Sequence, residues 1–229
     1  MLAPSDYFNL DDYEHRALFQ DSRVVYVWDA LKLLADFLDQ LIVPDIQGKV
    51  MDGATLQGNK IYIGPGAVVE PGAMIKSPAY IGARSEVRQG AYLRGNVLVG
   101  SACVVGHTTE VKNAIFLDGA HAAHFAYVAD SIVGNRVNLG AGTKLANLKL
   151  DRASVVVQTP GRKFYDTGLR KFGAVLGDGV QIGCNTVSNP GTLMGPGCVV
   201  YAMALVRGYY PPRTLIKVVP ALQVSQMDE

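Results

Sequence analysis

From Ile63 onward an aliphatic residue stands at every sixth position: Val69, Ile75, Ile81, Val87, Leu93, Val99, Val105, Val111 and Leu117 follow without a break. Four residues after each of these come Ala67, Ala73, Ala79, Ser85, Ala91, Val97, Cys103, Thr109, Ile115 and His121, nearly all small or medium in size. An amphipathic helix repeats at spacings of three and four, and a half-buried strand alternates with a period of two over a short run. Neither template holds a step of six for so long. A fixed step of this kind means a solenoid, with branched residues pointing into a narrow prism and small ones at its tight corners. The stretch from about Ile61 to Val206 therefore reads as an all-β parallel β-helix. The step slips near Ala123 to Asp130, resumes at Val133, Leu139 and Leu145, and returns at Leu176, Ile182, Met194, Val200 and Val206.

The flanks differ in kind. Val27, Leu31, Leu34, Leu38, Leu41 and Ile42 recur at helical spacing, which predicts a helix from about Trp28 to Ile42, ended before Pro44. Because a bare solenoid end exposes core and unpaired strand edges, this helix is expected to cover the open first coil. Between Asp151 and Ala174 the step is lost, and VVVQTPGRKFYDTG reads as strand, turn and strand, an arm leaving the coil. The proline-bearing tail RGYYPPRTLIKVVPAL is expected along the outside of the prism or on a neighbouring subunit. The expected organisation is a helical cap over 1–50 and a β-helix domain over 51–229, with the arm at 151–174 and the tail at 207–229.

Charge excludes several classes. With 21 Lys plus Arg against 20 Asp plus Glu among 229 residues, no basic field exists to drive nucleic-acid or anionic-membrane binding, so anion recognition must be local. No apolar run reaches membrane-spanning length, and the N-terminus lacks a basic start followed by an apolar core, so a cytoplasmic location is expected. Cys103, Cys184 and Cys198 form no CxxC pair and no even set, which argues against a disulfide framework or a zinc knuckle.

If one coil takes 18 residues, residues 18 apart stack at about 4.8 Å. One column then reads Lys76, Arg94, Lys112 and another Glu70, Arg88, Gly106, His124. Like charges directly opposed on neighbouring strands destabilise a sheet. Either the long side chains splay into solvent, or an anion such as a phosphate is clamped by Arg94 and Lys112. His124 falls where the step slips, and a histidine displaced by a bulge points out of the prism.

Such a repeat resembles the hexapeptide-repeat proteins, which implies three hexapeptides per coil, a left-handed superhelix and assembly as a homotrimer. The segment Arg94 to Asn147, with EVK, HFAYVAD, VNLGAGT and the following Asn in order, resembles the acetyltransferase domain of the bifunctional N-acetylglucosamine-1-phosphate uridyltransferases. The later run TGLRKFGAVLGDGVQIGCNTVSNPGTLMGPGCVVY is similar to the archaeal sugar-1-phosphate nucleotidylyltransferases that carry the same kind of domain. The resemblance implies acetyl transfer from acetyl-CoA to the amine of an amino-sugar 1-phosphate. It makes His124 the general base, a role suited to a group that ordinarily titrates near neutral pH, and Glu110 the carboxylate that supports it. It places Arg94, Lys112 and Tyr127 on the sugar phosphate, Asn138 and Asn147 on the sugar and acetyl group, and the backbone of Ala141, Cys184 and Ala202 along acetyl-CoA. His107, His121 and His124 lie close in sequence, but their flanks do not match the histidine pattern of the γ-class carbonic anhydrases that share this fold, so no metal is expected.

Two departures bear on function. The family's lysine beyond the catalytic asparagine is absent from the run Leu148–Ala153, where Lys149 or Arg152 are candidates to replace it. The N-terminal residues cannot hold a uridyltransferase, so any nucleotide-sugar synthesis would need a separate nucleotidyltransferase. An O-acyltransferase of the same fold and a non-catalytic trimerisation or regulatory module remain as alternatives.

Overall fold

The aliphatic series turns inward. In the computed structural model, which describes residues 2–219, the nine residues from Ile63 to Val111 in steps of six are fully buried in one continuous core. Burying each side chain contributes about 1.5–3 kcal/mol. The strands that carry them are short and pair in parallel with the coils before and after, because each coil can satisfy its backbone only against its neighbours. The result is a left-handed parallel β-helix with three faces. The first face begins at Asp45–Ile46 and ends at Tyr209–Tyr210, and the second begins at Lys49–Val50 and ends at Leu215–Ile216, each nine strands deep. The third, from Thr55–Gln57 to Leu205–Val206, has eight.

The solenoid is longer than the legible repeat. It starts one coil before Ile61, and the tail does not run along its outside: Tyr209–Tyr210 and Leu215–Ile216 add a further coil. Pro211 and Pro212 are tolerated because they fall at the corner between those two strands, where the ladder needs no N–H from them. Residues 220–229 of the expected tail lie outside the described residues.

The slip is double and only partly where expected, its second step falling between Val128 and Val133 and including Asp130. Val99 pairs with Phe116 and Phe116 with Val133, so the coil shortens by one residue at two successive passages from the third face to the first. Phe116 takes the inward place, and Leu117, tenth in the six-residue series, turns outward. No bulge displaces His124, which pairs in register with His107.

The helix forms at Asp29–Leu41, with Ala30, Leu31, Leu34 and Leu38 buried. Its Asp29 carboxylate accepts the Tyr26 N–H at 2.8 Å and pairs with Lys32 at 2.8 Å, an acid at the positive end of the helix dipole. It does not cover the first coil. Its end meets Lys60 of that coil through Asp39, and its apolar side joins a second core over the first face that holds Tyr80, Leu98, Ile115, Ile132, Val175 and Leu193. Strands Val97–Val99, Ala114–Phe116 and Ala174–Leu176 are buried on both sides, so this face needs cover along its length more than the prism needs it at the end.

The arm forms the expected hairpin, Val156–Thr159 against Lys163–Asp166, but folds back onto the same second core. Phe172 meets Trp28 with ring centroids 6.1 Å apart, and Tyr165 meets Tyr26 at 5.6 Å. Gly191 makes room: its φ is +80°, and a Cβ there would stand 2.7 Å from Val155 Cγ1. Among the described residues no helix is long and apolar enough to cross a membrane.

Candidate active site

On the outer side of the third face, the strands Met74–Lys76, Tyr92–Leu93 and Glu110–Lys112 stack in a register that carries Lys76, Arg94 and Lys112 in one column. The like-charge cost is met partly within the protein. Glu110, one column over, accepts a hydrogen bond from Arg94 Nη1 at 2.7 Å. The Tyr92 ring lies 5.2 Å from the Lys76 ammonium and 6.0 Å from the Arg94 guanidinium, within cation–π range. The half-buried Lys112 ammonium has no protein partner among the described residues.

Tyr127 stacks directly on Glu110. Burial raises its phenol above the ordinary value, the Glu110 and Asp130 carboxylates add to this, and Arg94 and a hydrogen bond with Asn147 oppose it. The phenol is therefore a stable O–H donor at neutral pH. Asn147 donates its amide to the buried Asp130 carboxylate, which also accepts from Asn113 at 2.8 Å. Both Asp130 oxygens are thus occupied, and the Asn147 amide is fixed in orientation.

His124 ends the strand His121–His124 at the corner between the second and third faces. Successive coils bond there through Phe125 N–H to His107 O at 2.9 Å, Gly142 N–H to His124 O at 3.0 Å, Asn185 N–H to Ala141 O at 2.8 Å and Met203 N–H to Cys184 O at 2.8 Å. His107, His124, Ala141, Cys184 and Ala202 consequently stack in one column. Ala123, not His124, stands over Gly106 in the other column, because each short coil moves the register by one residue. The approach is close: a Cβ on Gly106 would lie 1.8 Å from the Ala123 carbonyl oxygen. Phe125 is forced to φ +52°, a strained conformation for a bulky residue, and its ring packs 5.3 Å from His107 and 6.3 Å from His124. The exposed His124 ring makes no hydrogen bond among the described residues.

The fold thus gathers Arg94, Glu110, Lys112, Tyr127 and Asn147 at one face, and aligns His124 with Ala141, Cys184 and Ala202 at the adjoining corner. Asn138 stands apart, exposed on the second face between His121 and Gln181. Glu110 bonds Arg94 within the chain, where a contact with His124 was expected. Two residues escaped sequence reasoning. Asp130 closes HFAYVAD at φ +48°, and its role depends on the shortened coil. Lys171 returns from the arm to bridge Leu148, and the next residue donates its N–H to the Asn147 carbonyl at 2.9 Å. Lys149 is engaged by Asp151 at 3.1 Å. Among the described residues no group of three or more His, Cys, Asp or Glu side chains is arranged to hold a metal.

Comparison with known proteins gives three findings. The family model of the GMPPB C-terminal domain matches residues 75–195. A bifunctional sugar-1-phosphate nucleotidylyltransferase/acetyltransferase from Sulfurisphaera tokodaii is 34% identical over 179 residues, covering 78% of this chain and 44% of that protein. A bifunctional protein GlmU from Methanococcus maripaludis is 34% identical over 179 residues, covering 78% of this chain and 43% of its own. The chain spans less than half the length of these curated relatives. Among solved structures, a UDP-N-acetylglucosamine acyltransferase from Francisella novicida superposes with a TM-score of 0.52 at 14% identity, over 72% of this chain and 60% of that one. That likeness is one of fold.

Proposed function

This chain belongs to the family of the GMPPB C-terminal domain, and from that membership we propose that it is an acyltransferase that moves an acetyl group from acetyl-CoA to the amine of an amino-sugar 1-phosphate, glucosamine or galactosamine 1-phosphate. The observation that carries this reading is the half-buried Lys112 ammonium stacked on Arg94, beside a corner that holds His124, neither with a hydrogen-bond partner among the described residues. A phosphate accepts from both cations at once. Tyr127 and Asn147 donate to the same ligand.

The sugar ammonium gives one proton to solvent, and His124 takes a second from the nitrogen as it bonds to the acetyl carbon. The freed nitrogen attacks the thioester carbonyl, the C–N bond forms as the C–S bond breaks, and the imidazolium returns the proton to the departing CoA thiolate. Binding of the phosphate to Arg94 releases Glu110 to stabilise that imidazolium. Acetyl-CoA lies along the column of Ala141, Cys184 and Ala202, whose small side chains admit it to the backbone.

A thiol-release assay with acetyl-CoA tests this against glucosamine 1-phosphate, galactosamine 1-phosphate and the free amino sugars. We expect release that depends on a phosphorylated amine and falls at least a hundredfold in His124→Ala. Absence of any His124-dependent release overturns the reading. Lys112→Ala should raise KM for the sugar phosphate by roughly tenfold or more with little change for acetyl-CoA; equal effects would show that the column is no phosphate clamp.

A further inference from the structure

The arm forms one wall of an open cleft. A cleft of about 1030 Å³ opens between the hairpin with its lead-in and the passages from the third face to the first in the last coils. Arg94, Lys112, His124, Tyr127, Asn147 and Lys171 do not line it. The hairpin wall is held by Val155, Val157 and Phe172, all essentially inaccessible, so the cavity exists before any ligand arrives.

Its chemistry is specific. Arg207, on the coil side, is exposed, and its guanidinium has no partner among the described residues; only its backbone N–H is engaged, by the Tyr210 hydroxyl at 3.3 Å. Lys149, on the arm side, is neutralised by Asp151, the one acidic residue lining the cleft, which leaves the cavity with a net positive charge. Pro160 of the arm and Pro190 and Tyr209 of the coil give apolar, flat surfaces, and Asn189 offers a free amide. A cleft of this volume is at the upper end of small-molecule sites and far exceeds an inorganic anion. The unpaired guanidinium calls for a phosphate, which it can bind through two N–H groups. The flat walls call for a planar body with hydrogen-bonding edges.

We propose that this cleft binds an organic phosphate of the nucleotide class, with the phosphate on Arg207 and the planar base between the proline- and tyrosine-lined walls. No residue assigned to acetyl transfer lines this site, and the proposal does not depend on that assignment. Calorimetric titration of the full chain with adenosine, guanosine and uridine 5′-monophosphates tests it, with adenosine and inorganic phosphate as partial ligands. Saturable binding is expected for at least one nucleotide, at least tenfold tighter than for either partial ligand. Arg207→Gln should weaken it tenfold or more, Val156→Glu should weaken it by placing a carboxylate on the apolar wall, and Lys112→Ala should leave it unchanged. No nucleotide binding, equal binding of inorganic phosphate, insensitivity to Arg207→Gln, or loss in Lys112→Ala would each overturn the proposal. The Arg207 side chain is exposed, so its replacement leaves the core intact.

Discussion

Three cysteines of one chain occupy three different environments. Cys103 is buried in the prism, and burial pushes its thiol up to about 12; Cys198 is also buried and its thiol is raised for the same reason; Cys184 is exposed in the His124 column. One thiol per native chain should therefore react with a chromogenic disulfide, and three after denaturation. If acetyl-CoA lies along that column, saturating CoA should slow alkylation of Cys184; an unchanged rate would place the cofactor elsewhere. Glycine at 106 is required by space alone. Gly106→Ala must push the His121–His124 strand away, at a cost on the order of 3 kcal/mol, which lowers the melting temperature by roughly 6–12 °C. A melting curve within about 2 °C of wild type would refute the close approach. Sequence pattern marked His124, Arg94 and Lys112, but not their partners. Glu110 and Asp130 find theirs through stacking, which no local spacing encodes.

The N-terminal segment and the arm stabilise each other across the first face. Trp28 and Phe172 are fully buried and in contact, so Phe172→Ala should cost about 3–5 kcal/mol and make both segments protease-sensitive together. Separate release of the arm alone would contradict this coupling. A pH dependence belongs to the same interface. His15 is buried among Tyr13, Phe37 and Tyr80, with Tyr80 only 4.4 Å away between ring centroids. Burial lowers its pKa, while the nearby Glu14 and Asp118 carboxylates oppose the shift. Between that lowered value and the ordinary one of about 6.5, the unfolded chain binds a proton that the native chain refuses. Stability should thus fall as pH drops below about 6.5, and His15→Phe should flatten the profile from pH 8 to 5 in denaturant melts; an unaltered slope would rule His15 out. The helix was legible because its apolar positions recur at three and four. Its docking place was not, since a face apolar on both sides is visible only once the coils are stacked.

With the first face covered, the second and third faces and the corner between them remain for assembly. Tyr201, Met203 and Leu205 follow one another along that corner and the adjoining third face, each about half exposed or more. Contiguous apolar exposure of this kind marks an interaction surface. We propose that it joins three copies. Sedimentation should give three times the 24.5 kDa chain mass, and Met203→Glu with Leu205→Arg should shift it to monomer; a monomeric wild type, or a trimer indifferent to both changes, would refute this surface.

The six-residue step alone dictated a solenoid that returns every sixth side chain to one core, and the resemblance to hexapeptide-repeat proteins added three faces per coil. The same pattern, read as columns, located the cationic stack correctly where the coil keeps 18 residues, from Lys76 to Lys112. Beyond that, reading failed for a definite reason. Two coils lose a residue, and each loss changes which residue stands on which, so His124 moves from over Gly106 to over His107. Only the folded chain could decide that, and only it could bring Lys171 back to Asn147 across an arm whose length hides the neighbourhood of its two ends. Period is a local property and survives in sequence; register accumulates along the chain and is fixed by tertiary hydrogen bonding.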